Sequence, residues 1–183
     1  MPENTNDRGV VIRPLWQMTA WFLASVLLLQ WGWGAARGTT VERLVIDEAT
    51  VRTAVAIIHA LTPEVDVQAV GSLISAPGGG INVLNGCEGT EVLFLLVAAL
   101  CAYPMSWRWR GVGMLGGTAF VFVLNQARLL ALFYSYRSDR VLFNQLHGLV
   151  APLMLIALSL AFMVWMIQLD RRERGLSATL VQA

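Results

Sequence analysis

Residues 111–134 read GVGMLGGTAFVFVLNQARLLALFY, and this stretch decides what class of protein the chain is. It holds a single charged residue, Arg128, in a run long enough to cross a hydrocarbon core of roughly 30 Å as an α-helix, which takes about 20 residues. Its first half is rich in glycine, and small residues let helices approach closely in lipid. Three other stretches read the same way: 15–36, with WFLASVLLL; 88–107, with VLFLLVAALCAYP; and 147–168. Pro104 falls near the end of its stretch, where a break costs little. The first stretch is longer than the 7–15 apolar residues of a signal peptide and has no convincing small-residue cleavage site, so it reads as a retained helix. The expectation is an all-α integral membrane protein: one membrane domain over residues 1–183, with about four transmembrane helices.

Composition agrees. Hydrophobic residues make up 56% and charged residues 14%, with mean hydropathy +0.60, against about 25% charged in an average soluble domain. A net charge of +1 excludes a disordered chain and a basic nucleic-acid binder. Two cysteines make no disulfide framework, and no paired Cys/His spacing suggests a metal site. No cofactor is expected.

Four spans put both termini on one side. With the N-terminus inside, Arg8, Arg13, Arg108, Arg110, Arg171, Arg172 and Arg174 lie inside, while Arg37, Arg43, Arg52, Arg137 and Arg140 lie outside. The bias favours this orientation. Residues 37–86 then form an external segment. Thr39 or Thr40 can cap a helix with Glu42 in its first turn. Leu44, Val45, Val51, Val55 and Ile58 recur at helical spacing, so the helix is amphipathic and suited to a membrane surface. It ends before Pro63. Then VDVQAVGSLIS, the turn Ala76-Pro77-Gly78-Gly79-Gly80 and INVLN fit a short β-hairpin. The glycine run lacks the Gly-Lys-Ser/Thr ending of a phosphate-binding loop.

Ionisable residues within a membrane are costly and are functional candidates by default. In this topology Cys87 lies at the outer mouth of the second span, Arg128 in the outer half of the third and His147 at the outer mouth of the fourth. Three segments thus deliver a thiol, a guanidinium and an imidazole to one leaflet. A thiolate is a nucleophile whose pKa falls beside a cation or at a helix N-terminus, which Cys87 would have if the second helix began near Asn85. Histidine moves protons near neutral pH, and arginine can hold a developing oxyanion. Each residue has a plainer reading too: Arg128 snorkelling or paired with Glu91, Cys87 as inert packing, His147 as a surface residue at a helix start. Convergence favours acyl transfer. Asn125 shares a helix face with Arg128, Glu88 and Glu91 suit a helix N-terminus, and Glu91 could orient Arg128 or His147. Trp and Tyr residues, Tyr134 and Tyr136 among them, fall near span ends, as in an aromatic belt. Cys101 reads as a small buried hydrophobe.

In order, Asn-Gly-Cys-Glu-Gly at 85–89, Asn-Gln-Ala-Arg at 125–128 and Phe-Asn-Gln-Leu-His at 143–147 resemble the exosortase/archaeosortase family, in its compact form such as the exosortase H type. The resemblance covers roughly residues 65–168. It implies a membrane cysteine transpeptidase of the bacterial inner membrane, with its site facing the periplasm. Such an enzyme cuts exported proteins that end in a short motif, a transmembrane helix and a basic tail, and passes them to an acceptor. It implies Cys87 as nucleophile, Arg128 as carbonyl or oxyanion partner and His147 as acid/base. Glu88 departs from the small polar residue usual after the cysteine and opposes thiolate formation. The alternatives are a non-enzymatic membrane adaptor whose polar residues are structural, and a cysteine protease that hydrolyses without transfer.

Overall fold

The computed structural model describes residues 14–83 and 87–182, with side chains to residue 175. Arg8 and Arg13, counted above for the inner side, and Asn85 and Gly86 of the first motif lie outside the described residues. The chain is mostly helical. Helix α1 (Leu15–Ala36) follows Pro14 and packs along α4. A continuous helical run then covers residues 40–61: α2 (Thr40–Arg43), a π-helical segment (Leu44–Arg52) and α3 (Thr53–Leu61). Of the two threonines, Thr39 is the cap. Its hydroxyl accepts from the Val41 N–H at 3.2 Å, while Glu42 reaches back to accept from the Gly38 N–H at 2.6 Å.

Most of the apolar face of this run is buried within the protein, while Val41, Leu44 and Leu61 stay exposed. Ile46, Val51, Ala54, Val55 and Ile58 form one core with Val67, Ile74, Ile81 and Val83 of the sheet region and Leu129, Leu132 and Phe133 of α5. The sheet has three antiparallel strands in the order β1-β2-β3: β1 (Gln68–Val70), β2 (Leu73–Ser75) and β3 (Ile81–Asn82). Ile74 pairs with Ile81 across the glycine turn, and Ala69 pairs with Ile74 on the other side.

Helices α4 (Thr90–Ala102), α5 (Trp107–Ser138), α6 (Arg140–Gln145) and α7 (Ala151–Gln182) make up the rest, with a π-helical turn (Leu146–Val150) joining α6 and α7 into one long helix. Three boundaries correct the sequence reading. The stretch 88–107 is helical only as α4, whose 13 residues rise about 20 Å, less than a bilayer core. It stops at Tyr103 because Pro104 disfavours helix in the residue before it. Trp107 opens α5, which runs past both ends of 111–134 to Ser138. The helix that holds residues 147–168 begins at Arg140, so His147 lies inside it and does not open it. Among the described residues two helices, Trp107–Ser138 and Arg140–Gly175, are long and apolar enough to cross a membrane.

A second core of Leu96, Leu100, Val121, Leu155, Met163 and Met166 joins α4, α5 and α7. Gly113 and Gly117 make the close approach possible. A Cβ on Gly117 would stand 2.9 Å from Leu96 Cδ2 and 3.3 Å from Phe162 Cε1. Beyond this core a polar cluster ties the start of α5 to the end of α7. The buried Asp170 carboxylate accepts from the Ser106 N–H at 3.1 Å and pairs with Arg174. Glu173 accepts from Arg108 at 2.9 Å and from the Trp109 indole N–H. Arg128 is 21 residues beyond Trp107 in the same helix, about 30 Å away at 1.5 Å per residue. The cluster and Arg128 are thus separated by one hydrocarbon thickness.

Gly117→Val should cost about 1–3 kcal/mol by overpacking the α4–α5–α7 contact. Gly111→Val, which meets nothing within 4 Å, should fall within about 0.5 kcal/mol of the wild type. Thermal unfolding in detergent checks both.

Candidate active site

Cys87 lies three residues before α4, in the turn Cys87-Glu88-Gly89. It does not sit on the helix N-terminus as the sequence suggested. Two α5 residues one turn apart hold this turn. Asn125, 2% exposed, lies against Gly89: a Cβ there would come within 3.0 Å of Asn125 Cγ, and the Gly89 φ of +80° is one that side chains rarely adopt. Arg128 donates from Nη2 to Cys87 Sγ at 3.9 Å. The Asn-x-x-Arg spacing places both on one helix face, so a single surface of α5 fixes the backbone of the turn and contacts its thiol.

Glu88 is buried, and its carboxylate accepts from the Thr90 hydroxyl at 2.9 Å. Burial pushes the Cys87 thiol above the ordinary thiol range; Arg128 pulls it down, and Glu88 pushes it up again, with a smaller push from Glu91. The net shift is upward, so at neutral pH the group is a thiol that needs a base to become a nucleophile. Glu91 is exposed in the first turn of α4 and, among the described residues, makes no hydrogen bond or ion pair with Arg128 or His147.

Cys87 and His147 line one cavity of about 240 Å³ together with Gly80, Ile81, Asn82, Leu129, Leu132, Tyr136 and Phe143. His147, in the π-helical turn, stacks on Phe143 four residues earlier, with ring centroids 5.5 Å apart and planes at 9°. Phe143 meets Tyr136 edge to face at 5.2 Å, and Arg140 covers Tyr136 from 3.6 Å. The aromatic chain sets the histidine ring against the cavity. Tyr136 lines the cavity wall, a role that nothing in the sequence marked. The strand residues were missed altogether, because nothing in INVLN marks which side of a strand faces a site. Cys101 sits within α4, away from this turn, and both cysteines are free thiols. Among the described residues no group of three His, Cys, Asp or Glu could hold a metal.

The transmembrane exosortase family model, Exosortase_EpsH, matches residues 13–166. The chain belongs to the transmembrane exosortase family. All three motif segments lie inside the matched region, as do the sheet and helices α1 to α6. Family membership, with the apolar helices, makes this a membrane protein with a transpeptidase-type role in general. No curated protein and no solved structure matches the chain.

Alkylation of Cys87 by iodoacetamide should climb about tenfold per pH unit until the thiol titrates, with a midpoint above that of a free cysteine. Removing the Glu88 charge with Glu88→Gln should lower that midpoint, and Arg128→Ala should raise it, since these groups act in opposite senses. Rate–pH profiles on a Cys101→Ala background read both shifts.

Proposed function

We propose that this chain is a membrane cysteine transpeptidase acting through Cys87, Arg128 and His147 on the C-terminal tails of exported proteins. The contact of Arg128 Nη2 with Cys87 Sγ, beside a cavity shared with His147, carries the reading. The raised thiol pKa assigns the histidine its work. His147 takes the thiol proton as Sγ attacks a backbone carbonyl carbon. The C–N bond breaks, His147 hands the proton to the leaving amine, and the substrate remains as a thioester on Cys87. An acceptor amine then attacks the thioester; its nitrogen loses a proton to His147, the C–S bond breaks and the thiol is restored. Arg128, through its planar guanidinium, stabilises the oxyanion of each tetrahedral intermediate. Asn125 and Gly89 position the nucleophile without touching substrate, and Glu88 holds the thiol in its protonated resting form.

The substrates are exported proteins that end in a short motif, a transmembrane helix and a basic tail. The membrane is the bacterial inner membrane, with the site at its periplasmic face. Two observations support this orientation. The end of the bundle remote from Cys87 carries Arg108, Arg110, Arg171, Arg172 and Arg174, as cytoplasmic ends do. The site and that end also stand about 30 Å apart, so a substrate helix with its basic tail among cytoplasmic headgroups brings its motif to the depth of Cys87.

Co-expression with an exported protein of this kind from the same genome tests the proposal. The wild type should remove the tail, Cys87→Ala should not, and the intact mass of the product identifies an acceptor by its added mass or water by its absence. Arg128→Lys, which keeps the charge and loses the planar fork, should slow processing by about 10²-fold. A product formed equally by wild type and Cys87→Ala overturns the nucleophile assignment and turns the reading toward a structural adaptor.

A further inference from the structure

The cavity that holds Cys87 has one wall made of main chain. Gly80, Ile81 and Asn82 line it in succession, and the Ile81 side chain belongs to the core with Leu129 and Leu132. Gly80 has no side chain, so it presents main chain at the entry to β3. That strand is an edge: the sheet order is β1-β2-β3, and the cavity beside it is also lined by Leu129, Leu132, Tyr136 and Cys87.

The register tells which groups point outward. Val83 donates its N–H to the Ser72 carbonyl at 2.8 Å, so Ser72 and Val83 form a hydrogen-bonded pair. In an antiparallel ladder such pairs alternate. Ile81, opposite Ile74, therefore also turns its N–H and C=O toward β2, whereas Gly80 and Asn82 turn theirs away. Among the described residues nothing pairs with the outward groups of Gly80 or Asn82. They recur at the two-residue repeat of a strand, roughly 7 Å apart, which is the spacing an extended peptide presents in return. Gly80 is held at this position by crowding: a Cβ would come within 2.2 Å of the Ile74 carbonyl oxygen.

We propose that the substrate binds as a fourth strand, an extended segment hydrogen-bonded to the outer edge of β3 through the main chain of Gly80 and Asn82, which lays its scissile carbonyl against Cys87. The occupant is an extended peptide because the edge offers alternating donors and acceptors and no charge, and because the thiol opens into the same cavity. Strand addition takes its affinity from main-chain bonds and leaves side-chain choice to the flanking pockets. Here Tyr136 and Phe143 form the opposite wall. The proposal rests on the peptidase reading above and adds the mode by which that site takes its substrate.

Proline at position 82 tests it. Proline removes an N–H that the sheet itself does not use, and edge strands tolerate it there; it asks only that Ile81 be extended, which it already is. In membranes carrying the full chain, with an exported protein whose tail the wild type removes, Asn82→Pro should lower processing by about tenfold, through loss of the main-chain bond from the Asn82 N–H. Asn82→Ala keeps the N–H and should recover at least about fivefold of that loss. Ser72→Ala removes the 2.8 Å hydrogen bond to the Asn82 side chain and should process as the wild type does. Cys87 alkylation at the wild-type rate certifies the fold of each variant. If Asn82→Pro fails that check, a proline scan of the substrate across the cut decides: loss at alternate positions supports strand addition, and uniform tolerance overturns it. Cys87→Ala is run alongside. A product that it also makes overturns the peptidase reading, whereas a product lost in Cys87→Ala and kept at the wild-type rate in Asn82→Pro overturns strand addition alone.

Discussion

Everything at the proposed site depends on one face of α5. Asn125 and Arg128 lie a single turn apart, the first packed on Gly89 and the second on the Cys87 sulfur. Helix geometry makes that spacing rigid, so the backbone of the turn and the electrostatics of its thiol are set by the same element. The balance around the sulfur is nearly opposed: burial and Glu88 hold the proton on, and Arg128 draws it off. A thiol poised this way is unreactive until a base reaches it, which suits an enzyme at a membrane surface where a permanently formed thiolate would react with whatever electrophile arrived.

The remaining elements exist to present α5 at the right height and rotation. At one end the Ser106, Asp170, Trp109 and Glu173 contacts tie α5 to α7. In its middle, Gly113 and Gly117 admit Leu100, Leu96 and Phe162. At the other end, α3 and the sheet close over Leu129, Leu132 and Phe133, and the Thr62 and Tyr134 hydroxyls meet at 3.0 Å. The π-helical segment before α3 contributes as well: the Thr50 carbonyl accepts a hydrogen bond from the Gln126 side-chain amide at 3.3 Å, one residue from Asn125.

Much of this was legible in the chain. Membrane character followed from residues 111–134, and the convergence of Cys87, Arg128 and His147 followed from alternating span directions, which require no knowledge of packing. Boundaries were not legible where apolar residues continue past a break. Tyr103-Pro104 reads as hydrophobic yet ends α4, while Trp107 and Arg108 read as interface yet are helical. The place of His147 was misjudged because Arg140–Gln145 has too few apolar residues to signal a helix, although Asp139 caps it by accepting from the Val141 and Leu142 N–H groups. The buried face of residues 40–61 looked the same in sequence as one meant for lipid, since periodicity reports amphipathicity and not what covers it. The orientation of β3 depends on a register set by the turn at Gly78 to Gly80, and that is a property of pairing.

The π-helical turn at Leu146–Val150 separates two rotational settings within one long helix. The phase of α7 is dictated by its contacts with α4 and α5, and that of α6 by the aromatic stack against Tyr136. A regular helix would have to serve both with one phase, and each residue added or removed between them would turn one half by about 100° against the other. The widened turn absorbs such a mismatch where it occurs. A lineage could therefore lengthen or shorten the membrane-crossing part of this helix, in step with a thicker or thinner bilayer, without swinging His147 away from the cavity.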